Sequence, residues 1–147
     1  MSGQILERQQ IVAAGAARTK DDAIAEAGGI LVAAGAVTPE YIAFMRQRES
    51  MTSTYMGNFL AIPHGTNEGK DTILRSALSF VRYAEPIDWD GNEVRFVVGI
   101  AGKENGHLDI LSRIAIIFSD DDEVAKLIHA PSEQDILALL GEVNSAG

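Results

Sequence analysis

The hexapeptide Ala61-Ile62-Pro63-His64-Gly65-Thr66 gathers the residues best suited to chemistry. An apolar run enters a proline, which fixes its own φ, lacks an amide donor and biases Ile62 towards an extended backbone, so a strand is predicted to stop there. His64 stands at that strand end, and Gly65 permits a sharp exit and a close approach of backbone to whatever the ring holds. A histidine so placed presents one ring nitrogen outward, while a carbonyl can hold the other and settle the tautomer. His64 is therefore a candidate nucleophile whose electrophile these six residues leave open.

Composition limits what such a nucleophile can serve. The 147 residues fit one domain, read as 1–147 with a core from about 5 to 142, and suffice to bury a real core. Apolar residues make up 46% and charged residues 22%, as in an ordinary folded globule, so disorder is not expected. A formal charge of −9 would repel nucleic-acid phosphates, and a basic protein is the easier partner. No run approaches the roughly 18 apolar residues of a membrane span, and direct membrane insertion is not expected. The chain has no cysteine, which excludes disulfide and thiolate chemistry and gives secretion no support. A cytoplasmic location is expected.

The elements that must position His64 alternate in type. Thr19-Lys20-Asp21-Asp22 reads as a capping box opening a helix of about four turns, which should end at Gly35. Thr38-Pro39-Glu40 places a cap, a first-turn proline and an acid near the positive dipole end. The helix that follows carries Tyr41, Phe44, Met45 and Arg48 at helical spacing. Thr52 to Asn58 reads as a polar loop leading into Leu60-Ala61-Ile62. Ala77 to Tyr83 and Val94 to Ala101 are predicted strands, continuous enough in apolar residues for burial on two faces, with Pro86 to Asn92 as their connection. Gly102 to Gly106 delivers His107 to a helix with Leu108, Leu111, Ala115 and Phe118 on one side. Asp120 with Glu123 and Ser132 with Asp135 cap two final helices, separated by Pro131. The order predicts a single three-layer α/β domain, with helices on both faces of a mixed central sheet.

Arg48-Glu49, the run from Thr52 to Asn58, Ala61 to Thr66 and Asn105-Gly106-His107, in that order, resemble the mannitol/fructose-type IIA component of the bacterial phosphoenolpyruvate-dependent sugar phosphotransferase system. The likeness extends from the helix opening at Thr19 to Leu139. It implies a phosphocarrier: the position of His64 accepts a phosphoryl group from the phosphorylated histidine of the carrier protein HPr and passes it to a separate IIB domain, typically onto cysteine. The positions of Arg48 and His107 help hold that group. Some mannitol-type relatives carry a carboxylate where this chain has Asn58, so an acidic partner for Arg48 is in question.

The residue types suit that chemistry. Phosphoryl transfer through a loose transition state needs an in-line nucleophile with fixed positive charge or donors around the equatorial oxygens, and no cofactor or metal is expected. His64 supplies a lone pair, with the outer Nε2 as the expected acceptor. Backbone amides after His64, at Gly65 and beyond, and the Thr66 hydroxyl are candidate oxygen donors; Arg48 offers a planar fork, and His107 opens a helix whose positive end favours an anion. Other features read as structural: His129 at a helix end, and Asp120 to Glu123, which lacks the alternation and glycine of a calcium loop. Gly65 to Asp71 mimics a nucleotide-binding P-loop but has the wrong glycine spacing and an aspartate where a magnesium-binding hydroxyl is required. The remaining alternative is a nitrogen-type regulatory IIA protein, which accepts phosphate and acts by contacting other proteins.

Overall fold

The computed structural model describes residues 5–103, 106–141 and 143, with residues 106–108 described by backbone alone. Five strands, β1 (Ile11–Val12), β2 (Tyr55–Gly57), β3 (Leu60–Ala61), β4 (Ala77–Trp89) and β5 (Asn92–Ala101), form one sheet in the order β1-β4-β5-β3-β2. β4 and β5 are antiparallel, whereas β1 joins β4 and β3 joins β5 in parallel, which makes the sheet mixed. Side chains alternate along β5 from Phe96: Phe96, Val98 and Ile100 enter one core, while Val97 and Ala101 enter the other. Burial on both faces accounts for the nearly unbroken apolar runs of the two long strands.

Helices α1 (Lys20–Ala33) and α2 (Tyr41–Met51) cover one face, and α3 (Gly106–Phe118), α4 (Asp121–His129) and α5 (Glu133–Leu140) cover the other. The starts of α1, α4 and α5 obey local chemistry, whereas α2 opens after Glu40 without a side-chain cap, so the cap expected from Thr38 is not formed. Thr19 accepts from the Asp22 amide, Asp120 from the amides of Asp122 and Glu123, and Ser132 from that of Asp135. Gly35, with φ 75°, takes the left-handed conformation past the end of α1.

Three further sequence expectations need correction. Pro86 to Asn92 is not a connection, because β4 continues through Pro86 to Trp89 and β5 begins at Asn92. The reversal is the pair Asp90-Gly91, with φ 56° and 93°, the positive values a two-residue hairpin favours. Pro86 falls within the interruption of the β4–β5 register between Arg82 and Ile87, where a missing amide is tolerated. The loop from Thr52 to Asn58 contains β2, which pairs antiparallel with β3. Finally, α3 buries Ile110, Ile114, Ile117 and Phe118, so the core-facing stripe is rotated from the expected one and Leu111 is only partly buried.

Replacing Gly91 with Ala meets no steric neighbour but forces a Cβ into φ 93°. The expected result is a loss of about 1 kcal/mol in urea-denaturation stability, without change in fold.

Candidate active site

The chain leaves β3 at Ala61, and Pro63, His64 and Gly65 turn over the end of β5. The Ile100 amide donates to the Pro63 carbonyl at 3.1 Å, which fixes this turn to the sheet. His64 Nδ1 lies 2.7 Å from the Ile62 carbonyl oxygen. A carbonyl can only accept, so Nδ1 carries the proton and the neutral ring keeps its lone pair on Nε2.

Ile62 is fixed in turn. Its amide donates to the Thr54 carbonyl at 3.1 Å, and Thr54 is tied to the buried Glu49 carboxylate through its amide (3.0 Å) and hydroxyl (2.5 Å). Glu49 also accepts from the Trp89 indole (3.1 Å) and pairs with Lys20 (3.2 Å). A buried carboxylate is tolerated only when its oxygens are compensated this fully. These contacts connect α2, the turn end of the β4–β5 hairpin and the polar loop to the backbone that orients His64.

A cleft of about 440 Å³ opens beside the ring, lined by Arg48, His64, Gly65 and Thr66 among others. Four of the five expected site residues thus share one cavity. The fifth, His107, lies in the first turn of α3, and its side chain lies outside the described residues; Leu111, one helical turn further on, lines the cleft. The charged groups among the described lining residues are Arg48 and Lys70, with no carboxylate, although the chain as a whole carries −9. Such a cleft attracts anions.

Arg48 sits in the last turn of α2 and makes its one hydrogen bond among the described residues to the Thr52 carbonyl, at 2.9 Å. Most of its donor fork remains for an anion. Asn58 does not approach it as a partner. With φ 49° in the β2–β3 turn, Asn58 donates instead to the Phe118 carbonyl at the end of α3, at 2.6 Å. Thr66 lines the cleft, and its buried hydroxyl oxygen has no hydrogen-bond partner among the described residues.

The Gly65 amide is committed within the protein rather than open as an oxygen donor, because it donates to the Tyr41 hydroxyl at 2.8 Å. A Cβ at Gly65 would lie 2.5 Å from the Tyr41 ring, so the glycine is required by this contact. Tyr41 and Glu49 were not legible as site residues: a tyrosine on an apolar helix face and a carboxylate near a helix end give no local sign of what they meet. The P-loop-like stretch forms a short 3-10 segment, Asn67–Thr72, following the His64 turn.

The fold and this cleft define an α/β domain with a cationic cleft beside a histidine, and comparison with known proteins supplies the family. The chain belongs to the family described as phosphoenolpyruvate-dependent sugar phosphotransferase system, EIIA 2, whose model matches residues 4–143. It is 51% identical to the mannitol-specific phosphotransferase enzyme IIA component of Halalkalibacterium halodurans, over 98% of this chain and 99% of that protein. The corresponding Bacillus subtilis component is 46% identical, over 96% and 99% of the two chains. Among solved structures, the fold is similar to the Escherichia coli IIA mannitol crystal structure (TM-score 0.85, 36% identity, 92% of this chain and 98% of that one). It is also similar to a chain in the complex of E. coli enzyme IIAMtl with phosphorylated enzyme IIBMtl (TM-score 0.86, 35% identity, 92% and 96%). No helix among the described residues is long and apolar enough to cross a membrane.

Two outcomes follow from the side chains around the turn. Asn58→Asp places a carboxylate against a helix C-terminal carbonyl and should lower stability by about 1–2 kcal/mol at pH 7, the deficit narrowing below about pH 4 where a protonated carboxyl can donate. Urea midpoints across pH measure both effects. Burial raises the Tyr41 hydroxyl from 10.0 to about 12, against a smaller lowering by the Gly65 amide, and burial and Glu26 raise Tyr83 in the same direction. The folded state therefore holds protons that the unfolded chain has released above pH 10. This stability is complete below pH 10 and is lost as pH rises through about 12, a loss readable by circular dichroism alongside tyrosinate absorbance.

Proposed function

We propose that the chain is the phosphocarrier IIA component of a mannitol-type phosphotransferase system, accepting a phosphoryl group on His64 Nε2 from phospho-HPr and passing it to a IIB domain. The observation that carries the reading is the His64 ring, with Nδ1–H on the Ile62 carbonyl, set in a cleft whose charged groups among the described lining residues are cationic. As the Nε2 lone pair bonds to phosphorus, the bond to the donor histidine breaks and its electron pair stays with that nitrogen. Positive charge develops on the His64 ring and reaches Nδ1–H, where the hydrogen bond to Ile62 strengthens. Arg48 and the Thr66 hydroxyl hold equatorial oxygens, and His107 adds a donor from the opening turn of α3.

The second transfer reverses these movements, with a nucleophile of the IIB domain attacking phosphorus. Support for a IIB acceptor comes from the similarity to an E. coli IIA chain seen with phosphorylated IIB, and support for the mannitol class from the relatives at 46% and 51% identity. The nitrogen regulatory protein IIA-Ntr of Neisseria meningitidis is also similar in fold, but at 28% identity, which favours the transport reading. A cytoplasmic location accords with exchange between HPr and the inner face of a permease.

Incubation with enzyme I, HPr and phosphoenolpyruvate should give an acid-labile, base-stable phosphoprotein that a mannitol-type IIB domain discharges. His64→Ala should abolish labelling; labelling at the wild-type rate would refute His64 as acceptor, and phosphate retained in the presence of IIB would favour the regulatory reading. Arg48→Lys should slow transfer about tenfold, keeping charge but losing the fork. For His107→Ala the expected loss is about tenfold to a hundredfold with an unchanged urea midpoint, and an unchanged rate would remove it from the site.

A further inference from the structure

In a parallel ladder, a residue facing a neighbouring strand is normally bracketed by two direct bonds, one from each flanking peptide. His64 faces Ile100 in that way, and the first bond is short and direct: the Ile100 amide donates to the Pro63 carbonyl at 3.1 Å. On the second side a side-chain hydroxyl joins both backbone groups. The Gly65 amide donates to the Tyr41 hydroxyl (2.8 Å), and that hydroxyl donates to the Ile100 carbonyl (2.7 Å). One hydroxyl oxygen thus bridges the Gly65 amide and the Ile100 carbonyl on the C-terminal side of the histidine.

The bridge is built on both sides. Tyr41 is 2% exposed and opens α2, the helix that also carries Arg48 and Glu49. Gly65 has no Cβ, and one placed there would collide with the Tyr41 ring at 2.5 Å. Both residues line the same cleft as His64. The hydroxyl thus couples α2, which brings Arg48, to the turn that brings the nucleophile, through the end of β5.

We propose that Tyr41 is a positioning residue for phosphoryl transfer, its hydroxyl acting as a spacer that holds the His64 turn off β5 and in register with Arg48. This rests on the reading of His64 as the acceptor. Removing the oxygen leaves the Gly65 amide and Ile100 carbonyl either to close on each other, drawing the turn towards the strand, or to remain unpaired. In both cases Nε2 moves relative to the cleft, while partner docking surfaces stay in place. A misplacement on the order of 1 Å costs up to about a hundredfold in rate.

The test compares wild type, Tyr41→Phe and Tyr83→Phe, the last losing a hydroxyl bonded to Glu26 (2.6 Å) that does not line the cleft. Single-turnover phosphorylation by phospho-HPr is measured at a temperature where all three are folded by circular dichroism. The expected result is a kcat about tenfold to a hundredfold lower for Tyr41→Phe, KM for phospho-HPr within about twofold of wild type, and shifted His64 ring ¹⁵N resonances. Tyr83→Phe should match wild type in all three. Wild-type kcat and ring resonances in a folded Tyr41→Phe protein would overturn the proposal, whereas failure of the wild type to be labelled on His64 would overturn the acceptor reading instead. Should Tyr41→Phe not fold, the Tyr41 hydroxyl and Gly65 amide proton resonances of the wild type are followed through phosphorylation. Shifts in both support the spacer, and two unmoved resonances refute it.

Discussion

The hydrogen bond from His64 Nδ1 to the Ile62 carbonyl is the interaction on which the site depends. An imidazole free to turn or to exchange tautomers offers its lone pair in several directions, and none is reliably in line with phosphorus. Here the acceptor lies only two residues upstream, so ring orientation is inherited from the backbone of Ile62. That backbone is fixed by Thr54, and Thr54 by the buried Glu49, which also gathers Trp89 and Lys20. The His64 ring is thus aligned by a succession of short contacts reaching across the sheet.

Much of the architecture was legible because it is written in local chemistry. Thr19, Asp120 and Ser132 cap helices as their side-chain oxygens predict, and Gly35 ends α1 for want of a Cβ. The misreadings have physical causes. Proline 86 suggests a break, but a strand with an interrupted register accommodates it, and the reversal belongs to Asp90-Gly91. Strands of two or three residues, as at β1 and β2, are too short for alternation to declare itself; pairing, and not propensity, creates them.

The site was legible where one residue carries the chemistry and opaque where two distant residues meet. His64 is marked by the proline and glycine around it, and Arg48, Gly65 and Thr66 do line its cleft. What the residues could not reveal was the use of the Gly65 amide, since its partner lies on the preceding helix. Nor could they predict that Asn58 turns towards Phe118, because that contact joins a hairpin to the end of α3. Leu111 is similar: a regular stripe placed it in the core, yet rotation of α3 puts Ile110 and Ile114 there and brings Leu111 to the cleft wall.

The commitment of the Gly65 amide has a thermodynamic side. A site that surrounds a phosphoryl group with every available backbone donor holds it in a deep well, as suits an enzyme that binds an anion and keeps it. A carrier standing midway in a series of transfers requires a shallow one, so that the phosphorylated and free forms lie close in energy and the group moves on readily in either direction. If His64 is the acceptor, as proposed, spending one nearby donor on Tyr41 leaves its phosphoryl group less tightly held and easier to pass on.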